Sequence, residues 1–256
     1  MIAPHITQWL TRLEQSCADA DVPALHIIID QAGPSRALLP SVVRVEPRLP
    51  WCSLFDGLPE PAALELAPLL VQVDLSQLMQ RHWLLVLMQA CDGRAQLLAP
   101  VSHWLFKALG EHLGRCLEAC HGSVTGLLRY YDPRLFGLLF SHVLGPEQQQ
   151  AWLSPAVLWS WLDRDGQACF LPGAAEALGQ PLRFEPVTLS DCQLDILSCA
   201  SDVTRLMDEL EAACPVEWSA EQRFQASYHA MLEARDVGEW QEAKRLAYTL
   251  ERLRDA

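Results

Sequence analysis

The residues best suited to metal binding in this sequence are His112, Cys116, Cys120 and His121. The first three are spaced by four residues, so they share one face if the segment is a single helix. Zinc takes imidazole and thiolate ligands, but its characteristic sites combine two short ligand pairs from separate segments. One helical segment does not supply that arrangement. The pattern therefore favours small core residues beside a stripe of leucines, and we predict no metal and no other cofactor.

Acidic residues end three candidate strands, at Asp30, Asp56 and Asp74. Active sites in α/β proteins often lie at such strand ends, but aspartates also cap turns, and we favour that role here. The sequence contains no P-loop, dinucleotide-binding, HExxH or GxSxG motif. Its nine cysteines and eight histidines offer no pair that local sequence selects as nucleophile and base. We therefore expect a protein that is not an enzyme.

The most distinctive segment is RYYDPR at residues 129–134. Pro133 suits the first position of a helix, and Asp132 immediately before it can cap that helix. Either Arg129 or Arg134 can form a bidentate pair with Asp132. These features favour a structural role at a strand-to-helix junction. The functional alternative is recognition of an anion or a peptide by Arg129 or Arg134, with Tyr131 beside them.

Tryptophan is frequent, with nine residues in the chain. Tryptophan and arginine are the usual anchors of protein interfaces, although a single tryptophan more often belongs to the core. Because no catalytic motif accompanies them, the tryptophans favour a binding protein. Trp218 and Trp240, which lie in the C-terminal segment, are our candidate partner contacts.

Apolar spacing predicts the elements that position these residues. A helix is expected over 5–20, a buried strand over 24–30, a helix over 59–67 and a strand over 69–74. Ser102 is expected to cap a helix running to about Cys120. A strand is expected over 125–131, before a helix that begins at Pro133. Asp163–Gly166 predicts the turn of a hairpin.

The character of the chain changes near Pro181–Pro186. Beyond this stretch the pattern is helical only, with helices expected over 190–213, 219–234 and 238–253. The sequence thus predicts an α/β domain over 1–186 and a helical C-terminal lobe over 187–256. The fold class is mixed α+β, with a mixed sheet, flanking helices and a terminal three-helix lobe.

Composition excludes several classes of protein. Half of the 256 residues are hydrophobic, and the formal net charge is −13. Such an acidic chain does not suit nucleic acid, which attracts clustered lysine and arginine. No apolar run approaches the roughly 18–20 residues of a membrane span, and Met1–Leu10 does not resemble a signal peptide. We expect a cytoplasmic protein with reduced thiols.

Several segments, taken in order, resemble one bacterial family. They are ALHIIIDQAG (24–33), FDGLPEPAALELAPLLVQVD (55–74), SHWLFKALGEHLGRCLEA (102–119) and GLLRYYDPRLFGLLFSHVLGPEQ (126–148). This is similar to the domain-of-unknown-function family of type VI secretion adaptors, also called effector chaperones. The resemblance extends over about residues 24–197. The sequence departs from the family at Asp30-Gln31, where the family commonly has Asp-Gly. This difference affects how tight the turn at that point can be.

The resemblance implies a non-enzymatic protein that binds a toxic effector and helps to load it on the VgrG spike. It implies contact with an N-terminal or linker segment of the effector, and we expect the C-terminal lobe and its junction with the α/β domain to make that contact. Two alternatives stay open on the residues alone. One is a small metal-dependent or Cys/His hydrolase, and the other is an immunity protein that neutralises a toxin.

Overall fold

The structure is a computed structural model that describes residues 2–32, 38–58, 64–177 and 185–255. The chain divides into two compact units, Met1–Thr188 and Leu189–Ala256. The mixed α+β class predicted from the sequence is confirmed, because strands alternate with helices in the first unit and helices alone form the second. Part of the helix predicted over 59–67, and most of the compositional break at 181–186, lie outside the described residues.

The first unit contains the strands. They are β1 (Leu25–Ile29), β2 (Trp51–Ser53), β3 (Leu69–Val73), β4 (Leu97–Val101), β5 (Glu118–His121), β6 (Val124–Leu127), β7 (Leu158–Leu162), β8 (Ala168–Pro172) and β9 (Val187–Thr188). Its helices are α1 (Pro4–Asp19), α2 (Leu39–Val42), α3 (Leu78–Ala90), α4 (Phe106–Arg115), α5 (Pro133–Leu138) and α6 (Pro146–Leu153). A π-helical segment, Leu139–Val143, directly follows α5.

The strands form two sheets. The main sheet has six strands in the order β2-β3-β1-β4-β7-β8, and its described pairings are all antiparallel. Parallel pairing occurs in the small sheet, where β5 pairs antiparallel with β6 and parallel with β9. The hairpin predicted at Asp163–Gly166 joins β7 to β8, with Leu162 opposite Ala168.

The main sheet is covered on both faces. All five residues of β1 are buried, whereas an antiparallel strand with one solvated face would alternate. Leu25, Ile27 and Ile29 belong to a core cluster that includes inward residues of α1 and α3. On the other face, α4 approaches so closely that a Cβ atom at Gly110 would lie 2.7 Å from Cys52 Sγ. The centre of the sheet is therefore inaccessible from either side.

The segment after β4 differs from the prediction. The expected helix from Ser102 to Cys120 is shorter, since α4 begins at Phe106 and ends at Arg115. Ser102 does not cap it; its hydroxyl donates to the Pro155 carbonyl and accepts from the Trp104 amide. Likewise, the strand predicted over 125–131 is β6, which ends at Leu127. Leucine spacing alone did not reveal the hairpin that interrupts this stretch.

The π-helical segment is stabilised by one glutamine. The Leu144 amide donates to the Leu139 carbonyl over 2.8 Å, a bond that spans five residues. Such wide turns leave carbonyl groups without their usual helical donors. Gln149 of α6 supplies the replacement, because its Nε2 donates to the carbonyls of Phe140 and Leu144, both over 2.8 Å.

The second unit is a three-helix bundle of α7 (Asp191–Glu211), α8 (Ala220–Asp236) and α9 (Glu242–Arg254). Ser219 caps α8: its hydroxyl accepts from the Gln222 amide, and the Gln222 Oε1 accepts from the Ser219 amide. Arg245 of α9 pairs with Asp202 of α7 over 2.7 Å. The bundle thus has its own caps, ion pairs and buried side chains.

A backbone contact at the end of β8 gives a first test of the packing. A Cβ atom at Gly173 would lie 1.9 Å from the Ala156 carbonyl oxygen, which is held by a hydrogen bond from the Ala175 amide. Gly173→Ala should therefore lower the free energy of unfolding by roughly 2–3 kcal/mol in urea denaturation. Gly126→Ala is the control, because nothing lies within 4 Å of its Cβ position. Equal stability of the two variants would contradict this packing.

The histidine at the centre of the sheet gives a pH-dependent test. His26 is buried, stacks on Phe106, and neither ring nitrogen has a hydrogen-bond partner among the described residues. Burial lowers the pKa of His26 to about 4. An unfolded histidine titrates near 6.5, so the unfolded state binds the proton first, and stability should fall as pH drops from about 6.5 to 4.

The size of this effect is roughly 3 kcal/mol over the full interval. Urea denaturation between pH 4 and 7 measures it. His26→Phe should flatten the dependence in this range, whereas His82→Gln, which changes an exposed histidine, should leave it as in the wild type. An unchanged slope in His26→Phe would refute the assignment.

Candidate functional site

The RYYDPR segment lies at the junction between β6 and α5. The Leu128 amide donates to the Leu117 carbonyl over 2.7 Å, which extends the β5–β6 ladder by one residue. The chain then turns inward, so that Tyr130, Tyr131 and Asp132 are buried. The junction therefore holds charged and aromatic side chains in the interior of the first unit, as the sequence predicted for a strand-to-helix boundary.

Asp132 caps α5 and neutralises Arg134. Its Oδ1 accepts from the Arg134 amide over 3.0 Å and from Arg134 Nε over 2.9 Å, and Oδ2 lies 2.7 Å from Arg134 Nη2. Pro133 occupies the first turn, where it needs no amide donor. The hydrogen bonds that Arg134 donates to Asp132 raise the pKa of the Arg134 guanidinium. The local prediction for this pair is confirmed.

Arg129 does not pair with Asp132 by hydrogen bond but with Asp30, at the end of β1. Arg129 Nη2 lies 2.8 Å from Asp30 Oδ2, and its guanidinium lies 5.6 Å from the centre of the Tyr131 ring. The Asp30 side chain is 6% exposed and that of Arg129 is 45% exposed. The arginine thus reaches from the surface to a carboxylate that would otherwise be buried without a counter-charge.

Asp30 is held by several further bonds. Its Oδ1 accepts from the Ala32 amide over 2.9 Å. Its backbone amide donates to the Gln96 carbonyl over 2.8 Å, and Gln96 Nε2 donates to the Asp30 carbonyl over 3.0 Å. The end of β1, the segment before β4 and the RYYDPR junction therefore meet at one aspartate.

Gln31, the position that departs from the expected Asp-Gly, is buried and fully engaged. Its Nε2 donates to the carbonyls of Leu64 and Ala67, and its Oε1 accepts from the Leu39 amide. A glycine could make none of these side-chain bonds. In this chain the turn after β1 is consequently tied to two neighbouring loops by a side chain.

Tyr130 anchors the junction to α4. It is fully buried, and its hydroxyl donates to the Leu113 carbonyl over 2.9 Å. Its ring packs edge-on against Trp152 at 5.7 Å between centroids. Burial raises the pKa of Tyr130 well above its ordinary value, so the hydroxyl stays protonated and keeps donating.

The chemistry of this cluster is structural. Both carboxylates accept charge-assisted hydrogen bonds, both arginines are paired, and the Tyr130 hydroxyl has an acceptor. Such ion pairs fix the geometry of a junction. The motif therefore acts as an organiser of the fold, with the outer part of Arg129 at the surface.

The single helical face that His112, Cys116 and Cys120 would share is not formed. Cys116 follows the last residue of α4, whereas Cys120 and His121 lie on β5. His112 Nε2 donates to the Ala151 carbonyl over 2.5 Å. Within the described ranges no group of three or more His, Cys, Asp or Glu side chains could hold a metal ion.

The buried thiols are poor nucleophile candidates. Burial raises the pKa of Cys17, Cys52 and Cys91 to about 11 each, and raises that of Cys116 further. A nucleophilic cysteine requires the opposite shift, because the thiolate is the reactive form. These side chains act as small apolar residues in the core.

The two candidate tryptophans occupy different loops of the second unit. Trp218 is half-buried in the connection between α7 and α8, and Trp240 is 64% exposed in the connection between α8 and α9. The 17 residues of α8 separate these loops by about 25 Å. The structure does not bring Trp218 and Trp240 into one patch, and both belong to a different unit from the RYYDPR junction.

Sequence reasoning offered both Arg129 and Arg134 as partners of Asp132; the structure selects Arg134, and the partner of Arg129 was missed. Asp30 had been noted only as an aspartate that ends a buried strand. The two residues are 99 positions apart in the sequence, so spacing could not connect them. The available indication was the buried strand itself, since a carboxylate at its end requires a cation nearby.

The central role of Asp132 can be tested by stability. Asp132→Ala removes the α5 cap and leaves the half-buried Arg134 without its counter-charge, so it should cost about 2–3 kcal/mol in urea denaturation. The matched control is Asp236→Ala, which removes an exposed ion pair at the end of α8 and should change stability by no more than about 0.5 kcal/mol. Similar effects of the two substitutions would contradict the role assigned to Asp132.

Comparison with known proteins adds one assignment. No curated protein and no solved structure matches the chain. In the described part of the chain, no helix combines the length and apolar character needed to cross a bilayer. The family model of a domain of unknown function, DUF4123, matches residues 25–151, from the start of β1 to within α6. That range includes the RYYDPR junction, so the junction lies within the segment that is similar to this family.

Proposed function

We propose that this chain is a cytoplasmic adaptor that binds a type VI secretion toxin effector and promotes its loading onto the VgrG spike. The observation that supports this most directly is the DUF4123 match over residues 25–151. Of the resemblance to the type VI adaptor family, which extends over about residues 24–197, the four segments between 24 and 148 fall within that range except for Ala24. The proposal is therefore a non-enzymatic role in which binding surfaces matter more than reactive groups.

The structure of the RYYDPR junction supports a framework role for this segment, with partner binding at other surfaces. Its carboxylates and arginines are committed to one another, so the junction contributes a rigid framework. A partner therefore finds most of its contacts on other surfaces, with the exposed parts of Arg129 and Arg134 available at this point. In this proposal, the DUF4123 domain holds its shape while the effector is bound and released.

The helical unit offers apolar anchors for an effector segment. Val216, Val237 and Trp240 are 90%, 63% and 64% exposed. Val237 and Trp240 lie three residues apart in the loop between α8 and α9. Exposed tryptophan with an adjacent aliphatic residue is the composition of a protein-binding anchor, so we assign effector contact to this loop.

The enzyme alternative receives little support from the described residues. The buried thiols have raised pKa values, and His112 is committed to a backbone carbonyl. The immunity-protein alternative predicts a different consequence of binding. An immunity protein blocks toxin activity, whereas an adaptor binds a segment outside the catalytic domain and leaves activity intact.

Co-purification tests the proposal. The full chain is co-expressed with the toxin encoded beside it and with the spike protein, and the mixture is separated by size exclusion. We expect a stable complex that survives deletion of the toxin's catalytic domain. Loss of the complex on that deletion, together with inhibition of toxin activity, would favour an immunity protein. Absence of any complex, with turnover that depends on one Cys, His or Asp, would favour an enzyme.

Trp240→Ser gives the sharper version of this test. Removing an exposed interface anchor should weaken the effector complex by about tenfold or more without lowering the free energy of unfolding. Leu105→Ser is the matched control, because Leu105 is 74% exposed in the first unit and should leave affinity unchanged. Calorimetric titration measures both. Equal affinities for Trp240→Ser and the wild type would remove the loop from the binding surface.

A further inference from the structure

A cavity of about 170 Å³ lies in the first unit, between the turn before β4 and the turn of the β7–β8 hairpin. Three arginines line it, Arg94, Arg134 and Arg164. We call it the arginine pocket. The chain has only 19 basic residues against 32 acidic ones, so three arginines around one small cavity stand out from an otherwise acidic protein.

The floor of the arginine pocket is apolar. Trp9, which is 1% exposed, contributes to it together with Leu97 and Leu162. The Trp9 indole is fixed from behind, because its Nε1 donates to the Ser160 hydroxyl over 2.8 Å. Charged groups beside apolar residues in a cavity are less screened by water than groups on an open surface. The pocket is thus able to strengthen an ionic hydrogen bond.

The two acidic side chains that line the pocket, Asp92 and Asp163, already accept hydrogen bonds from other residues. Asp92 accepts from Gln89 and lies 2.9 Å from His5 Nε2. Asp163 Oδ1 accepts from the amides of Asp165 and Gln167 in the hairpin turn. These carboxylates are thus already held by His5, Gln89 and turn amides rather than by Arg94.

Of the three arginines that line the pocket, Arg94 is the one whose side chain has no partner among the described residues. Arg134 is paired bidentately with Asp132, and Arg164 Nη2 donates to the Arg134 carbonyl. In contrast, the Arg94 side chain has no hydrogen bond or ion pair among the residues that the structure describes. Its position is defined by the backbone, since Gly93 and Ala95 on either side have φ of 70° and 48°. Alanine rarely adopts a positive φ, so the surrounding fold imposes this backbone conformation on Ala95.

We propose that the arginine pocket binds a single carboxylate group, which pairs with the guanidinium of Arg94. A guanidinium presents two parallel N–H donors that match the two oxygens of a carboxylate. One unpaired cation beside two occupied carboxylates suits a single negative charge better than a phosphate dianion. The carboxylate belongs either to the C-terminus of a peptide or to an acidic side chain. This inference does not depend on the adaptor function.

The test is a titration of the full-length protein with N-acetylglycine, followed by the backbone amide resonances of Gly93 and Gly166, which both line the pocket. N-acetylglycinamide, in which the carboxylate is replaced by an amide, is the matched ligand at constant ionic strength. We expect saturable shifts with N-acetylglycine and none with the amide. Equal responses to the two ligands, or no saturable response to N-acetylglycine, would overturn the proposal.

Arg94→Gln should weaken N-acetylglycine binding by at least about tenfold, because a charge-assisted hydrogen bond is lost. Arg94 is exposed and unpartnered, so this variant should keep the wild-type spectrum elsewhere. Arg44→Gln changes another exposed arginine that does not line the pocket, and it should bind as the wild type does. Equal weakening in both variants would show non-specific attraction and refute the site.

A second titration distinguishes the two sources of the carboxylate. N-acetylglycylglycine presents a free C-terminus, and N-acetylaspartic acid amide presents only an acidic side chain. Tighter binding of the first assigns the pocket to peptide C-termini, and tighter binding of the second assigns it to acidic side chains. Failure of both to bind would overturn the proposal.

Discussion

Two carboxylates in the interior of the first unit, Asp30 and Asp132, must each be neutralised by an arginine of one short motif. Burying a charge without a partner is costly, so the motif and the end of β1 can only form together. Arg129 meets this requirement across the fold, and Arg134 meets it locally. The position of α5, and with it the path of the chain into α6, depends on both pairs.

The covering of the main sheet on both faces imposes a second constraint. Because α1 and α3 pack on one side and α4 on the other, central positions must be apolar or uncharged. His26 fits only as the neutral imidazole, and Gly110 fits because it has no side chain. The side chains in the interior of the first unit therefore contribute to stability rather than to binding. Binding chemistry is left to the loops at the sheet's ends and to the helical unit.

Local patterns in the sequence were sufficient for some elements and insufficient for others. The spacing of Ile6, Trp9, Leu10, Leu13 and Cys17 predicted α1 closely, because one apolar face packs on the sheet along its whole length. The segment 102–120 was misassigned, since the leucines that suggested one helix serve α4 and then the approach to β5. Asp132 and Arg134 were paired from their proximity in sequence. The pairing of Arg129 with Asp30 is a product of topology, which no local pattern records.

The π-helical segment after α5 also affects how this fold can vary in length. Its bond from Leu144 to Leu139 spans one residue more than an α-helical bond. Deleting one residue between Leu139 and Val143 would restore ordinary helical register, so that the carbonyl groups bound by Gln149 would no longer depend on it. An alignment of related domains should therefore place a single-residue gap here, paired with loss of the glutamine, while α6 and the arginine motif keep their spacing to the rest of the chain.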